Sequence, residues 1–263
     1  VHTPSRTLRV AQNGGEPIPP VPTLHSLTAL GVQPRRTQLM MIAGKPGSGK
    51  SDFALWWAAS TGTSVLYFSA DMAPRTAVTR LAARASGEKS EVIRNDPERF
   101  TGYVQDSNVT FCFDGSPSFD DMYAELEAYV EYWDAFPDII VVDNLLNLSG
   151  VDEYTGALWG MKELHRMARE TGASVWVLHH TQEIRGQTAQ VPQGRVDISY
   201  KISQLPEIIL TVAFDRNDWT FLVAPVKCRD GRDDENGTLR VTLTRDPERS
   251  LFYEHVRITV PVP

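Results

Sequence analysis

Cysteine is scarce. Cys112 and Cys228 are the only ones in 263 residues, too few for a disulfide framework. Both fall in strand-like stretches and read as reduced, buried thiols, so a cytoplasmic location is expected. No apolar run approaches the roughly 20 residues needed to span a bilayer. The N-terminal stretch also lacks the charged start and apolar core of a signal peptide, so no membrane partner is expected. Positive charge is in deficit, with 26 Lys and Arg against 33 Asp and Glu and a net charge of −7. That excludes a protein that coats nucleic acid through global positive charge, while leaving room for a few basic loops turned toward it. No internal repeat is visible. At 41% hydrophobic and 22% charged residues the composition is that of an ordinary globular protein with ample chain for a core.

What is present is concentrated in one place. Gly44-Lys45-Pro46-Gly47-Ser48-Gly49-Lys50-Ser51 fits G-x-x-x-x-G-K-[ST], the loop that wraps the phosphates of a nucleoside triphosphate. Its glycines let successive backbone N–H groups turn inward on the phosphates, and the helix behind adds the positive end of its dipole. Lys50 is placed for the β- and γ-phosphates and the Ser51 hydroxyl for Mg²⁺, which makes ATP and Mg²⁺ the expected cofactors. The motif requires a strand before it and a helix after it. The apolar run 37–43 and the helix-forming run 52–60 supply both.

Strand-like and helix-like segments alternate along the rest of the chain. Strands are expected over 64–69, at Val104 and over 109–113, over 138–143 and over 173–180. Helices are expected over 23–30, 74–86 and 118–133, and around Leu158, Met161, Leu164 and Met167. In the 118–133 helix, Met122, Leu126, Val130 and Trp133 form the inward stripe. Late strands at 207–213, 219–226, 238–244 and 251–260 complete the pattern. It predicts an α/β fold, a mostly parallel twisted sheet flanked by helices with an antiparallel C-terminal edge. Residues 1–23, with prolines at 4, 17, 19, 20 and 22, read as an extended arm or linker. Residues 24–263 read as the nucleotide-binding domain. The six tryptophans sit mostly in apolar neighbourhoods and are expected in the core.

Two carboxylates follow the loop. Asp143 ends the buried run Ile139-Ile140-Val141-Val142, where P-loop ATPases present the carboxylate associated with Mg²⁺. Asp71 closes Tyr67-Phe68-Ser69-Ala70, a strand expected beside the P-loop strand, and there it would polarise the water that attacks the γ-phosphate. The plain alternative for Asp71 is a cap on the helix that opens at Pro74.

The series GKPGSGKS, YFSADM, IIVVDNL, VWVLHHTQE and KCRDG resembles the ATPase core of the RecA/DnaB-like superfamily, with the likeness strongest to DnaB-type and RepA-type hexameric replicative helicases. The resemblance implies a RecA-like sheet, ATP hydrolysis, a ring of identical subunits, and single-stranded DNA as partner. DnaB-type proteins usually carry Glu where Asp71 stands. The shorter side chain implies either a closer water or slower hydrolysis. By the same resemblance His180 falls at the γ-phosphate sensor, while His179 points to the other face of its strand. Lys227-Cys228-Arg229-Asp230-Gly231 corresponds to the K-x-R-x-G segment, which implies Arg229 as an arginine finger given in trans and Lys227 as its partner. Arg185 and Arg195, with Lys201 just beyond, lie in or next to a polar loop, 181–200, that faces DNA in the resembled helicases.

The reading is therefore a Mg²⁺-dependent ATPase acting on single-stranded DNA as a homo-hexameric or other ring-shaped helicase or translocase, in replication or recombination. The alternatives are a RecA-like recombinase or nucleotide-switch ATPase, and a metal-dependent DNA exonuclease on the same core. The nuclease reading would use Asp71, Asp138 and Asp143 as metal ligands.

Overall fold

Short apolar runs bounded by turn residues become strands when both of their faces are buried. The computed structural model describes residues 15–152, 156–181, 190–198 and 200–259. Its parallel strands are β1 (Leu39–Gly44), β2 (Val65–Ser69), β3 (Val109–Cys112), β4 (Ile139–Asp143), β5 (Ser174–His180) and β6 (Ile208–Asp215). β7 (Thr220–Cys228), β8 (Arg240–Asp246) and β9 (Leu251–Thr259) return antiparallel. Together they form one nine-stranded sheet in the order β3-β2-β4-β5-β1-β6-β7-β8-β9.

The helices are α1 (His25–Ala29), α2 (Lys50–Ser60), α3 (Pro74–Ser86), α4 (Ser90–Asn95), α5 (Thr101–Gln105), α6 (Phe119–Trp133), α7 (Gly156–Thr171) and α8 (Tyr200–Ser203). Local chemistry sets their ends. α3 starts on Pro74 and stops at Gly87, whose left-handed φ of 73° is cheap without a Cβ. At the start of α6, Ser118 Oγ accepts from Asp121 N–H at 3.1 Å and Asp121 Oδ2 accepts from Ser118 N–H at 2.9 Å, a capping box.

Alternation along the strands divides the core. Met40 and Ile42 face Leu27, Phe53, Trp57 and Leu81 of α1, α2 and α3. Leu39 and Met41 face Met122, Leu126, Met161 and Leu164 of α6 and α7. Among the described residues no helix is long and apolar enough to cross a membrane.

Four expectations change. Val104 lies in α5, packed beside Ala82, Ala83, Ile93 and Phe100, because one isolated β-branched residue sets no strand period. Trp133, the last residue of α6, is 56% exposed, while Val130 in the same turn is buried. Trp159 and Trp219 are also exposed, so only Trp56, Trp57 and Trp176 are core. Finally, residues 15–23 of the expected arm lie against the domain. Ile18 and Val21 are buried in the α2-side core, Ile18 N–H donates to Pro34 O at 2.8 Å, and Arg36 N–H donates to Glu16 O at 2.8 Å. Residues 1–14 lie outside the described residues.

Candidate nucleotide-binding site

β1 delivers the P-loop at the carboxyl end of the parallel strands, and α2 begins at Lys50. Gly47 and Gly49 hold φ of 75° and 86°, where a side chain is strained. The Lys50 side chain is buried and curls back over the loop. Its Nζ donates to Gly44 O at 2.9 Å and Lys45 O at 3.0 Å, and lies 3.2 Å from His180 Nδ1. Burial draws the Lys50 pKa down to about 8, against the pull of Asp143 and Asp71. Ser48 Oγ is buried without a hydrogen-bond partner. Glycines that leave the loop N–H groups unobstructed, with the Lys50 ammonium and the Ser51 hydroxyl lining the same cleft, are what a polyanion requires, so the loop fits a polyphosphate. Pro46 and Gly47 line the mouth of the cleft, whose volume is about 580 Å³.

Asp143 ends β4 and is buried. It accepts from Tyr67 Oη at 2.9 Å and is hydrogen-bonded to the Ser51 side chain. Burial raises its pKa, and the bonds from Ser51 and Tyr67 oppose the rise. A hydroxyl and a carboxylate meeting beside a phosphate cradle are hard oxygen donors that suit Mg²⁺, which keeps most of its remaining positions for water and phosphate.

Asp71 reaches the same cleft by a different route from the one expected. β2 is not beside β1; β4 and β5 lie between them. The chain past β2 crosses toward the P-loop, with Ala70 N–H donating to Asp143 O at 2.9 Å. The Asp71 carboxylate accepts from the side-chain amides of Asn144 and, at 2.7 Å, Asn147, and sits 3.9 Å from His180 Nε2. It does not cap α3, whose N-cap is Ala73 with no side-chain bond. His180 thus bridges Lys50 and Asp71. Burial and Lys50 lower its pKa, and Asp71 raises it.

The carboxylate cluster required for a nuclease does not form. Asp138 precedes β4 and binds Arg36 and the Ser64 backbone and hydroxyl, a strand length of about 17 Å from Asp143 at the usual rise. Among the described residues no group of three or more His, Cys, Asp or Glu side chains is placed to hold a metal.

β5 also feeds the opposite face of the sheet. His179 is buried there, with Nδ1 unpartnered and its pKa drawn down to about 4 by burial, His180 and Lys50. Thr181 donates its hydroxyl to the Gln193 side chain, and Gln193 O accepts from Thr211 Oγ1 at 2.7 Å. Thr181, just past β5, and Gln193, bonded to Thr211 of β6, are thereby held beside the two strands that flank β1. Arg185 and the rest of 182–189 lie outside the described residues. Arg195 is tied at 2.6 Å to Glu235, and Lys201 is exposed.

Arg229 and Lys227 stand at the far end of the sheet. β7 runs antiparallel, so Cys228 pairs with Ile208 near the start of β1, while Thr220 pairs with Asp215 at the P-loop end. Arg229 is 62% exposed and cannot reach its own P-loop. Lys227 is occupied differently from the expectation, donating to Ser203 O at 3.1 Å and Gln204 O at 2.7 Å, with burial lowering its pKa to about 8.

Three arginines at the cleft have no motif to announce them. Arg216, in the β6–β7 turn, lies beside Gly47. Arg245 of β8 binds the buried Asp52 of α2 at 3.0 and 2.8 Å, and Arg80 of α3 lies 3.7 Å from the same carboxylate. Only the strand order β1-β6-β7-β8 brings Arg216 and Arg245 to the loop. Asn144 and Asn147 were missed as well, although both sit in the turn that follows the Asp143 strand.

A profile of the AAA domain family matches residues 27–185. Among curated proteins, the chain is similar to the Gene 65 protein of Mycobacterium phage L5, 32% identical over 251 residues that cover 90% of this chain and 92% of the relative. It is likewise similar to the Gene 65 protein of Mycobacterium phage D29, 32% identical over 214 residues, covering 76% of this chain and 91% of that one. Among solved structures, a DnaB-like replicative helicase described with its interactions with primase superposes with a TM-score of 0.75 at 19% identity; the match covers 94% of this chain and spans 66% of the helicase chain. A second solved structure, an ATPase domain on its own, superposes with a TM-score of 0.73 at 18% identity, covering 94% of this chain and 95% of that domain. These two superpositions, at under 25% identity, establish a shared fold and nothing beyond it.

Proposed function

The chain belongs to the AAA domain family of P-loop NTPases, and from that premise we propose that it is an ATP-driven motor on single-stranded DNA, assembled as a ring and working in replication or recombination in the cytoplasm. The observation that carries the proposal is the double duty of β5. His180 touches Lys50 and nears Asp71 on the nucleotide side, and the next residue, Thr181, holds Gln193 on the loop side. A change at the γ-phosphate thereby has a one-residue path to the segment expected at DNA.

In this reading the P-loop N–H groups and Lys50 hold the phosphates. Ser51 and Asp143 would hold Mg²⁺, which when bound neutralises charge on the β- and γ-oxygens. Asp71, aimed by Asn144 and Asn147, accepts a proton from the attacking water. Arg229 of a neighbouring subunit supplies a further cation in trans, and its far-end position, out of reach of its own P-loop, favours this division. Arg185 and Lys201 are the candidate DNA contacts, with Arg195 bracing the loop through Glu235. The likeness in fold to a DnaB-like replicative helicase favours a helicase over a recombinase or a switch.

ATP turnover with Mg²⁺, with and without single-stranded DNA, tests the proposal. Turnover is expected to rise with DNA, to vanish in Lys50→Ala, and to fall on the order of a thousandfold in Arg229→Ala. Mixing the two variants is expected to restore part of it. Turnover indifferent to DNA would replace the motor by a nucleotide switch.

A further inference from the structure

The loop that presents Arg229 is held by parts of the fold that take no part in the nucleotide cleft. On one side lies the turn after α1. A Cβ on Gly231 would come within 2.6 Å of Leu30 O and 2.8 Å of Cys228 Sγ, and a Cβ on Gly31 within 2.7 Å of Gly231 Cα. Neither backbone atom has room to retreat, because Arg232 N–H donates to Leu30 O at 2.7 Å. The glycine of K-x-R-x-G is thus a packing requirement: only without side chains do the two turns meet.

On the other side lies Glu207, which precedes β6. Its backbone O accepts from Arg229 N–H at 3.0 Å. Its carboxylate is 8% exposed and is aimed by Leu39 N–H, which donates to Oε2 at 2.9 Å. The other oxygen, Oε1, lies 3.7 Å from Arg229 Nη1 and 3.5 Å from His165 Nε2. A carboxylate this buried requires a cation nearby, and the guanidinium of Arg229 approaches it with one nitrogen while most of its surface stays open.

We propose that Glu207 is a positioning residue for Arg229, holding the guanidinium at its inner edge so that its outer edge faces the nucleotide of the neighbouring subunit. The inference rests on the trans role of Arg229 given above. An arginine already held in place loses less freedom when it engages a phosphate, and a small misplacement of such a group is costly to the rate. Glu207 touches no substrate; it acts through Arg229.

The test is turnover with Mg²⁺, ATP and single-stranded DNA in full-length Glu207→Gln and Arg229→Ala, each alone and each mixed with Lys50→Ala. The amide of Glu207→Gln still accepts from Leu39 N–H, so melting temperature and nucleotide affinity are expected to stay near wild type. Turnover is expected to fall on the order of tenfold. Mixing with Lys50→Ala, whose Arg229 and Glu207 are intact, is expected to restore it in part, as it does Arg229→Ala. A purely structural defect in Glu207→Gln would not be repaired by a neighbour. If that variant melts early, Glu207→Asp, which keeps the charge and shortens its reach, is read in the same mixtures with the same expectation. Wild-type turnover in Glu207→Gln, or a loss that mixing does not repair while Arg229→Ala is repaired, overturns the positioning role and leaves the trans finger standing. Arg229→Ala as active as wild type, or not repaired by mixing, overturns the trans reading and this inference with it.

Discussion

Neighbouring residues in one strand can have opposite fates, and His179 and His180 do. His180 faces the cleft between Lys50 and Asp71. His179 is buried on the other face, with its pKa drawn down to about 4 by burial, His180 and Lys50. The unfolded chain binds a proton at this histidine near the ordinary value of about 6.5, before the folded one does. The contribution is therefore fully present above pH 6.5 and is lost as pH falls toward 4. Urea unfolding is expected to show about 2 kcal/mol less stability at pH 5 than at pH 7 from this group alone. His179→Phe is expected to flatten that part of the slope; an unchanged slope would mean that His179 is protonated without penalty.

At the scale of elements, the P-loop helix is fastened to the antiparallel half of the sheet. Asp52 in the first turn of α2 is buried, and Arg245 of β8 closes on it with two hydrogen bonds while stacking over Phe214 at 4.5 Å. Arg80 of α3 adds a longer contact. Removing one partner of a buried pair strands the other, which typically costs about 3–5 kcal/mol. Arg245→Met is expected to shift the urea midpoint by a loss at the lower end of that range, with Arg80 covering part of the charge. Pairing it with Asp52→Asn is expected to recover much of the loss. If the single variant is as stable as wild type, the pair is not what joins α2 to β8.

For the whole molecule, the decisive fact is direction. The cleft opens at the carboxyl ends of the parallel strands and Arg229 sits at the opposite end of the sheet. A copy that serves its neighbour's cleft does so either reciprocally in a two-fold pair or head to tail, and the head-to-tail contact closes into a ring or runs on as a filament. Sedimentation velocity with Mg²⁺ and a non-hydrolysable ATP analogue is expected to give one closed species whose size does not grow with concentration. A distribution that lengthens as protein is added would mean a filament.

The residues from Gly44 to Ser51 were legible without any structure because phosphate binding is local: loop, preceding strand and following helix are contiguous in the chain. Asp143 was legible for the same reason, as the end of an apolar run, and so were the parallel sheet and its antiparallel edge. Strand order was not legible, because backbone pairing is blind to position in the chain and any of these strands satisfies the same hydrogen bonds. That order separates β2 from β1 and draws Arg216 and Arg245 to the P-loop. The antiparallel return of β7 sends Arg229 to the far end, where Glu207 and a pair of facing glycines hold it. The chemistry of the loop was written in adjacent residues; which distant side chains attend it was decided only when the sheet closed around β1.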